Sequence, residues 1–131
     1  MQEMVTWAGQ VPFQRVREEL ERQDAFVITS LQEGTPNVVM EALAAGLPVI
    51  CHGVGGMSFA IDKSCGFKIP LADRQASILQ FADATAQLVT CPGLLNRLSE
   101  GALCRAKVLS WDKLAREIAS AYDAIPLVDA A

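Results

Sequence analysis

The chain has 131 residues, 51% of them hydrophobic and 20% charged, which suits one globular domain and excludes a disordered segment. A formal net charge of −4 argues against a nucleic-acid footprint or a patch for anionic membranes. The four cysteines, Cys51, Cys65, Cys91 and Cys104, form no C-x-x-C pair and read as small buried residues of a reducing cytosol. With His52 the only histidine, they do not suggest a structural zinc site.

Residues 1–13 lack the basic start and apolar core of a secretory leader. "EMVTWAG" (3–9) predicts a short strand ending at Gly9. "PFQRVREELERQ" (12–23) predicts a helix with Pro12 in its first turn and Phe13, Val16 and Leu20 as an apolar stripe. Its charges read as a solvated face. "AFVITS" (25–30) is the kind of short apolar run that forms a strand buried on both faces. Thr35 is a candidate N-cap and Pro36 a candidate first residue for a helix that runs to a stop at Gly46. "LPVICH" (47–52) predicts the next strand, "GVGG" (53–56) a loop, and "CGFKIP" (65–70) a last strand. Residues 72–90, 92–109 and 111–125 predict helices, broken at Pro92-Gly93 and capped at Ser110. The uncharged run Ala42–Ile61 is long enough for a membrane span, but its glycines and Pro48 make it strand and loop.

Strands alternating with helices imply an α/β fold, a partial Rossmann-like domain with a short parallel sheet. The expected organisation is one unit over 1–131 with a helical tail from about residue 72. In such sheets, ligands bind at the carboxyl ends of strands, beside helix N-termini. The turn from Glu33 to Asn37 occupies that place. Gly34 permits close backbone approach, and the amides of Asn37 and Val38 are among the helix's free donors, a suitable phosphate site. Glu41 lies five residues past Pro36, about 7.5 Å along the helix axis, and helix side chains lean back toward the N-terminus. Two fixed anions, Glu33 and Glu41, would repel a phosphate by a few kcal/mol at an effective dielectric of about 20. They suit neutral donors, and a carboxylate can accept from two adjacent sugar hydroxyls at once. On pattern alone, a capped helix with solvated acids is the simpler alternative.

The string "FVITSLQEGTPNVVMEALAAGLPVICHGVGG" resembles the donor-site signature of the family 4 retaining glycosyltransferases, which have the GT-B fold. Its core is E-x7-E, here Glu33 to Glu41. The resemblance extends to "TWAGQVP", "GFKIP" and "LSWDKLAREIASAYDAI", nearly the whole chain. It implies the C-terminal half of a GT-B enzyme that moves a sugar from a nucleoside diphosphate to a hydroxyl acceptor, with retention. No cofactor and no obligatory metal are implied; the nucleotide-sugar is the substrate. By the same resemblance, Glu33, Gly34 and Thr35 face the donor sugar, Pro36, Asn37 and Val38 the diphosphate, and Glu41 the ribose. Gly9, Gln10 and Val11 would lie near the base.

The chain departs from that pattern in three ways. The acceptor domain and the first strand–helix units of the donor domain have no counterpart. The Arg and Lys that the family sets on the diphosphate are absent too, since no Lys or Arg occurs between Gln23 and Asp62. Phe59 stands where the family usually has an acid after "GG". No residue here suits a general base acting on an acceptor. The alternative is therefore a non-catalytic binding or interaction module of the same fold. Expected partners are a nucleotide-sugar and either a missing N-terminal half or a second copy joined at an exposed sheet edge, with no nucleic acid and no transmembrane segment. The expected location is cytoplasmic. His52 is expected to be structural or solvated, and Trp7, Phe26, Phe59, Phe67 and Phe81 to be core.

Overall fold

The computed structural model describes residues 4–34 and 36–125. Three strands, β1 (Phe26–Ile28), β2 (Val49–His52) and β3 (Gly66–Ile69), form a parallel sheet in the order β1-β2-β3. Phe26 faces Val49 across the first pair, and Val49 faces Gly66 across the second. The helices are α1 (Phe13–Leu20), α2 (Asn37–Ala44), α3 (Gly55–Ala60), α4 (Arg74–Thr90), α5 (Leu94–Val108) and α6 (Trp111–Asp123).

β2 is the centre because its residues are apolar on both sides. Val49 and Cys51 pack with Val39, Ala42 and Leu43 of α2, Met57 and Ala60 of α3 and Ala102 of α5. Ile50 points the other way, into Ala84 and Leu88 of α4 and Leu98 of α5. Helices therefore cover both faces, as parallel sheets require. Burial of this kind contributes roughly 25 cal/mol per Å² of apolar surface.

Local chemistry sets most boundaries. α2 stops where the sequence predicts. Gly46 adopts a left-handed φ of +78°. Its amide bonds to the Leu43 carbonyl while the Leu47 amide reaches back to Ala42, both orphan carbonyls of the last turn. Asp73 caps α4 by accepting from the Ala76 amide at 3.0 Å. Ser110 caps α6 by accepting from the Lys113 amide at 3.3 Å.

Several expectations fail. β1 is not buried on both faces, since Val27 is 48% exposed. Residues 4–9 form no strand and are exposed, and no part of them pairs with β1, so β1 is an edge. "GVGG" is not all loop, because its last two residues start α3. Trp7 (90% exposed) and Phe59 (71% exposed) are not core, although Phe26, Phe67 and Phe81 do pack against it. In the α1 stripe, Leu20 is buried and Val16 half-buried, but Phe13 stands exposed. Among the described residues, no helix is long and apolar enough to cross a membrane. α6 buries none of its residues, leaving Trp111, Leu114, Ile118 and Tyr122 exposed.

Candidate functional site

The chain leaves β1 at Ile28 and re-enters regular structure at α2. The turn between them is held by α3, 20 residues further on in sequence. The Gly56 amide donates to the Glu33 carbonyl at 3.2 Å. A Cβ at Gly55 would lie 2.0 Å from the Glu33 carbonyl oxygen, and one at Gly56 would lie 1.9 Å from that of Gly34. Neither site has room for a side chain, so the glycine pair is what lets the two segments touch. α3 is itself anchored by Met57 and Ala60, both fully buried.

α2 begins with no side-chain cap. The Val39 and Met40 amides both donate to the Pro36 carbonyl, at 2.9 and 3.2 Å. Among the described residues, the Asn37 and Val38 amides have no acceptor, so the helix presents two donors together with its positive end. Pro36 is buried, Asn37 exposed and Val38 half-buried; Thr35, the candidate N-cap, lies outside the described residues.

Glu33 and Glu41 are both half-buried. Among the described residues, neither carboxylate takes part in an ion pair, because the four pairs found join other acids. Glu41 lines a groove of about 570 Å³ between α1 and α2, together with Phe13, Gln14, Arg17 and Ala45. Arg17 does not neutralise it: its Nε donates to Glu21 at 2.8 Å. Gly9 and Gln10 are exposed and Val11 half-buried, and they lead directly into the first turn of α1, which walls this groove. Gly9, Gln10 and Val11 themselves do not line the groove, whereas Phe13 and Gln14 line it together with Glu41. Sequence reasoning missed both, along with Arg17: it set Phe13 in an apolar stripe and Arg17 on a solvated face, and gave Gln14 no role. Their i, i+1, i+4 spacing was the available signal.

Arg105 on α5 was missed as well. It donates to the carbonyls of Ala60 (2.9 Å) and Phe59, lies 3.7 Å from Asp62, and sits 5.6 Å from the centre of the Phe59 ring. It answers the free carbonyls at the end of α3, the same helix whose start holds the Glu33 turn. Asp62 is held below the usual carboxylate range chiefly by its hydrogen bonds from the Ser64 hydroxyl and amide.

His52 is buried at the end of β2, edge-on to Phe81 with ring centres 5.0 Å apart. Its Nδ1 has no hydrogen-bond partner among the described residues. The cysteines divide. Cys51 and Cys65 are buried, and burial pushes both thiols up, Cys51 to about 11. Cys91 and Cys104 are exposed, contrary to expectation. Among the described residues, no cluster of three or more His, Cys, Asp or Glu could hold a metal ion.

Known proteins resemble this chain in sequence and fold. A family profile described as Glycosyl transferases group 1 matches residues 1–91. A Bacillus subtilis protein named for teichuronic acid biosynthesis as a glycosyltransferase is 53% identical over 55 residues, 42% of this chain and 14% of that protein. D-inositol 3-phosphate glycosyltransferase of Actinosynnema mirum is 30% identical over 99 residues, 76% of this chain and 23% of that protein. The solved structure of sucrose-phosphate synthase from Thermosynechococcus elongatus superimposes with a TM-score of 0.76 at 27% identity, over 92% of this chain and 30% of that one. The chain therefore spans less than a quarter of the length of these curated relatives.

Proposed function

The chain belongs to the group 1 glycosyl transferases, with a GT-B-type α/β fold, and on that premise we propose that it is the donor-binding part of a retaining enzyme that uses a nucleotide-sugar. The observation that carries this reading is the pairing of two amides at the start of α2 with two half-buried carboxylates, neither of which, among the described residues, has a hydrogen-bonded or ion-paired partner of its own. A cation paired with either acid would occupy the oxygens that a sugar hydroxyl needs. Unpaired acids beside an anion site fit a ligand that is anionic in the middle and rich in hydroxyls at both ends.

In this reading the Asn37 and Val38 amides hold the diphosphate, with Pro36 shaping the turn. Glu33 accepts from hydroxyls of the donor sugar, beside Gly34 and Thr35. Glu41 accepts from the ribose hydroxyls in the α1–α2 groove. Gly9, Gln10 and Val11 lie on the side of the base, and the exposed ring of Phe13 offers it a flat apolar surface. When the glycosidic bond breaks, negative charge develops on the leaving diphosphate, and the α2 start stabilises it more than it stabilises the ground state. No metal is required for that step in this scheme. A cytoplasmic setting, where nucleotide-sugars and reduced cysteines coexist, completes the proposal.

A second reading is favoured by one fact, that no Lys or Arg occurs between Gln23 and Asp62, the stretch that carries the α2 start. Here the chain keeps the fold and the ligand site but works as a binding or interaction module. Thermal shift with nucleoside diphosphates and their sugars tests the shared premise. Stabilisation by a nucleotide-sugar that falls in Glu41→Gln supports a donor site. No shift with any nucleotide would overturn both uses of that site.

A further inference from the structure

We propose a second anion site at the opposite end of the sheet, built for a small organic phosphate monoester. It is independent of the donor-site reading. A cleft of about 650 Å³ opens at the amino end of β3, where α4 ends and α5 begins. The α2 start, by contrast, lies at the carboxyl end of β1. The volume is that of a small-molecule pocket.

The charge of the lining is the first argument. Lys63 and Arg97 both line the cleft and no carboxylate does, in a chain with 15 acids against 11 bases. The four ion pairs among the described residues use Arg15, Arg17, Arg105 and Lys113, so Lys63 and Arg97 are not neutralised by them. Two cations that share a cleft repel each other until an anion sits between them. Arg97 offers a planar fork that matches phosphate oxygens in pairs, and Lys63 offers a mobile point charge. A dianion uses both cations fully; a monoanionic carboxylate does not.

The backbone contributes little either way. The uncapped start of α5 favours an anion, while the end of α4 beside it opposes one, so the two helix ends roughly cancel. The side chains decide.

The walls give the rest of the ligand. Phe67 and Leu94 are half-buried and Leu98 is buried, and they make part of the cleft lining apolar. Gln87, also half-buried, can donate to and accept from a hydroxyl or a phosphate oxygen. Inorganic phosphate would leave the apolar part wet. A monoester with a small ring covers it.

The test is calorimetry on the 131-residue chain with phenyl phosphate, inorganic phosphate and phenol at fixed ionic strength. Phenyl phosphate is expected to bind one site, more tightly than either control. Lys63→Gln and Arg97→Gln should each weaken it by about tenfold, and the double variant should abolish it. Both positions are exposed, so folding should survive, as circular dichroism would verify. Glu41→Gln should leave this binding unchanged, which separates it from the donor site. Cys91 lines the cleft and Cys104 does not, so the ligand should slow alkylation of Cys91 alone. Absence of saturable binding, binding that persists in the double variant, or loss in Glu41→Gln would each overturn the proposal. Equal affinity for inorganic phosphate would overturn its apolar half.

Discussion

The Gly56 amide donates to the Glu33 carbonyl at 3.2 Å, and this bond ties the turn after β1 to the first turn of α3. Around it, the Gly55 and Gly56 Cα atoms sit so close to the Glu33 and Gly34 carbonyls that any Cβ would overlap backbone oxygen. Arg105 grips the far end of the same helix through the Phe59 and Ala60 carbonyls. The turn that carries Glu33 is thus positioned from α5, through α3.

Gly55→Ala is therefore expected to cost about 2–4 kcal/mol, from overpacking plus a positive φ of +48° that a Cβ disfavours. Urea denaturation measures it. Because the overlap is with backbone, no side-chain rotation can relieve it. A loss below 0.5 kcal/mol would show that the turn moves freely away from α3.

Glu41→Gln should weaken nucleotide binding without disturbing the fold, since the amide keeps the shape but not the charge. The expected loss is about 1–3 kcal/mol. Calorimetry with ribo- and 2′-deoxy-nucleotides gives the location. If the variant loses the same amount for both, Glu41 does not hold the 2′-hydroxyl.

Alkaline pH should destabilise the chain through Cys51. Its thiol is raised from 9.0 to about 11 in the folded state, because burial penalises the thiolate more than Lys68 favours it. The unfolded chain therefore loses this proton first. Stability is full below pH 9 and declines as pH rises toward 11, by about 2–3 kcal/mol. Cys65 is shifted in the same direction and adds to the slope. Replacing Cys51 with Ala should lower stability at pH 7 and flatten the decline above pH 9. An unchanged slope in that variant would remove Cys51 as its source.

Self-association is expected at micromolar concentration. β1 is an edge strand with Val27 48% exposed, and residues 4–9 do not cover it. An uncovered apolar edge offers unpaired amides and carbonyls to another chain. Sedimentation over a concentration series should show mass increasing with concentration, and Val27→Lys should suppress it. A monodisperse monomer throughout would mean that the edge is protected in solution.

The 131-residue chain by itself should transfer no sugar. No Lys or Arg occurs between Gln23 and Asp62, so the α2 start is the only local stabiliser of a leaving diphosphate in that stretch. Incubation with labelled nucleotide-sugars and mixed acceptors checks it. Multiple turnover above a Glu33→Ala control would refute the expectation.

What the sequence by itself determined is everything with a local cause. The strand–helix order of the described elements from α1 onward, α3 excepted, the stop at Gly46, the Pro92-Gly93 break and the Ser110 cap all depend on φ preferences and on hydrogen bonds within about five residues. The parallel sheet followed from those, because short apolar runs separated by helices leave few other ways to bury β2. The E-x7-E spacing marked the turn and α2 as the place to look, and that stretch begins at the carboxyl end of β1. Tertiary structure alone decided the rest. A helix at Gly55–Ala60 depends on Met57 and Ala60 reaching a core built partly by Val39 and Leu43. Residues 4–9 have strand composition but no neighbour to complete their backbone bonds. Phe13 and Phe59 look like core residues by type, yet α1 turns one into the groove beside Glu41 and Arg105 holds the other at the surface. Arg105 acts on residues 45 and 46 positions away. Contacts at that separation are settled by the free energy of the whole packing, and no window of sequence contains it.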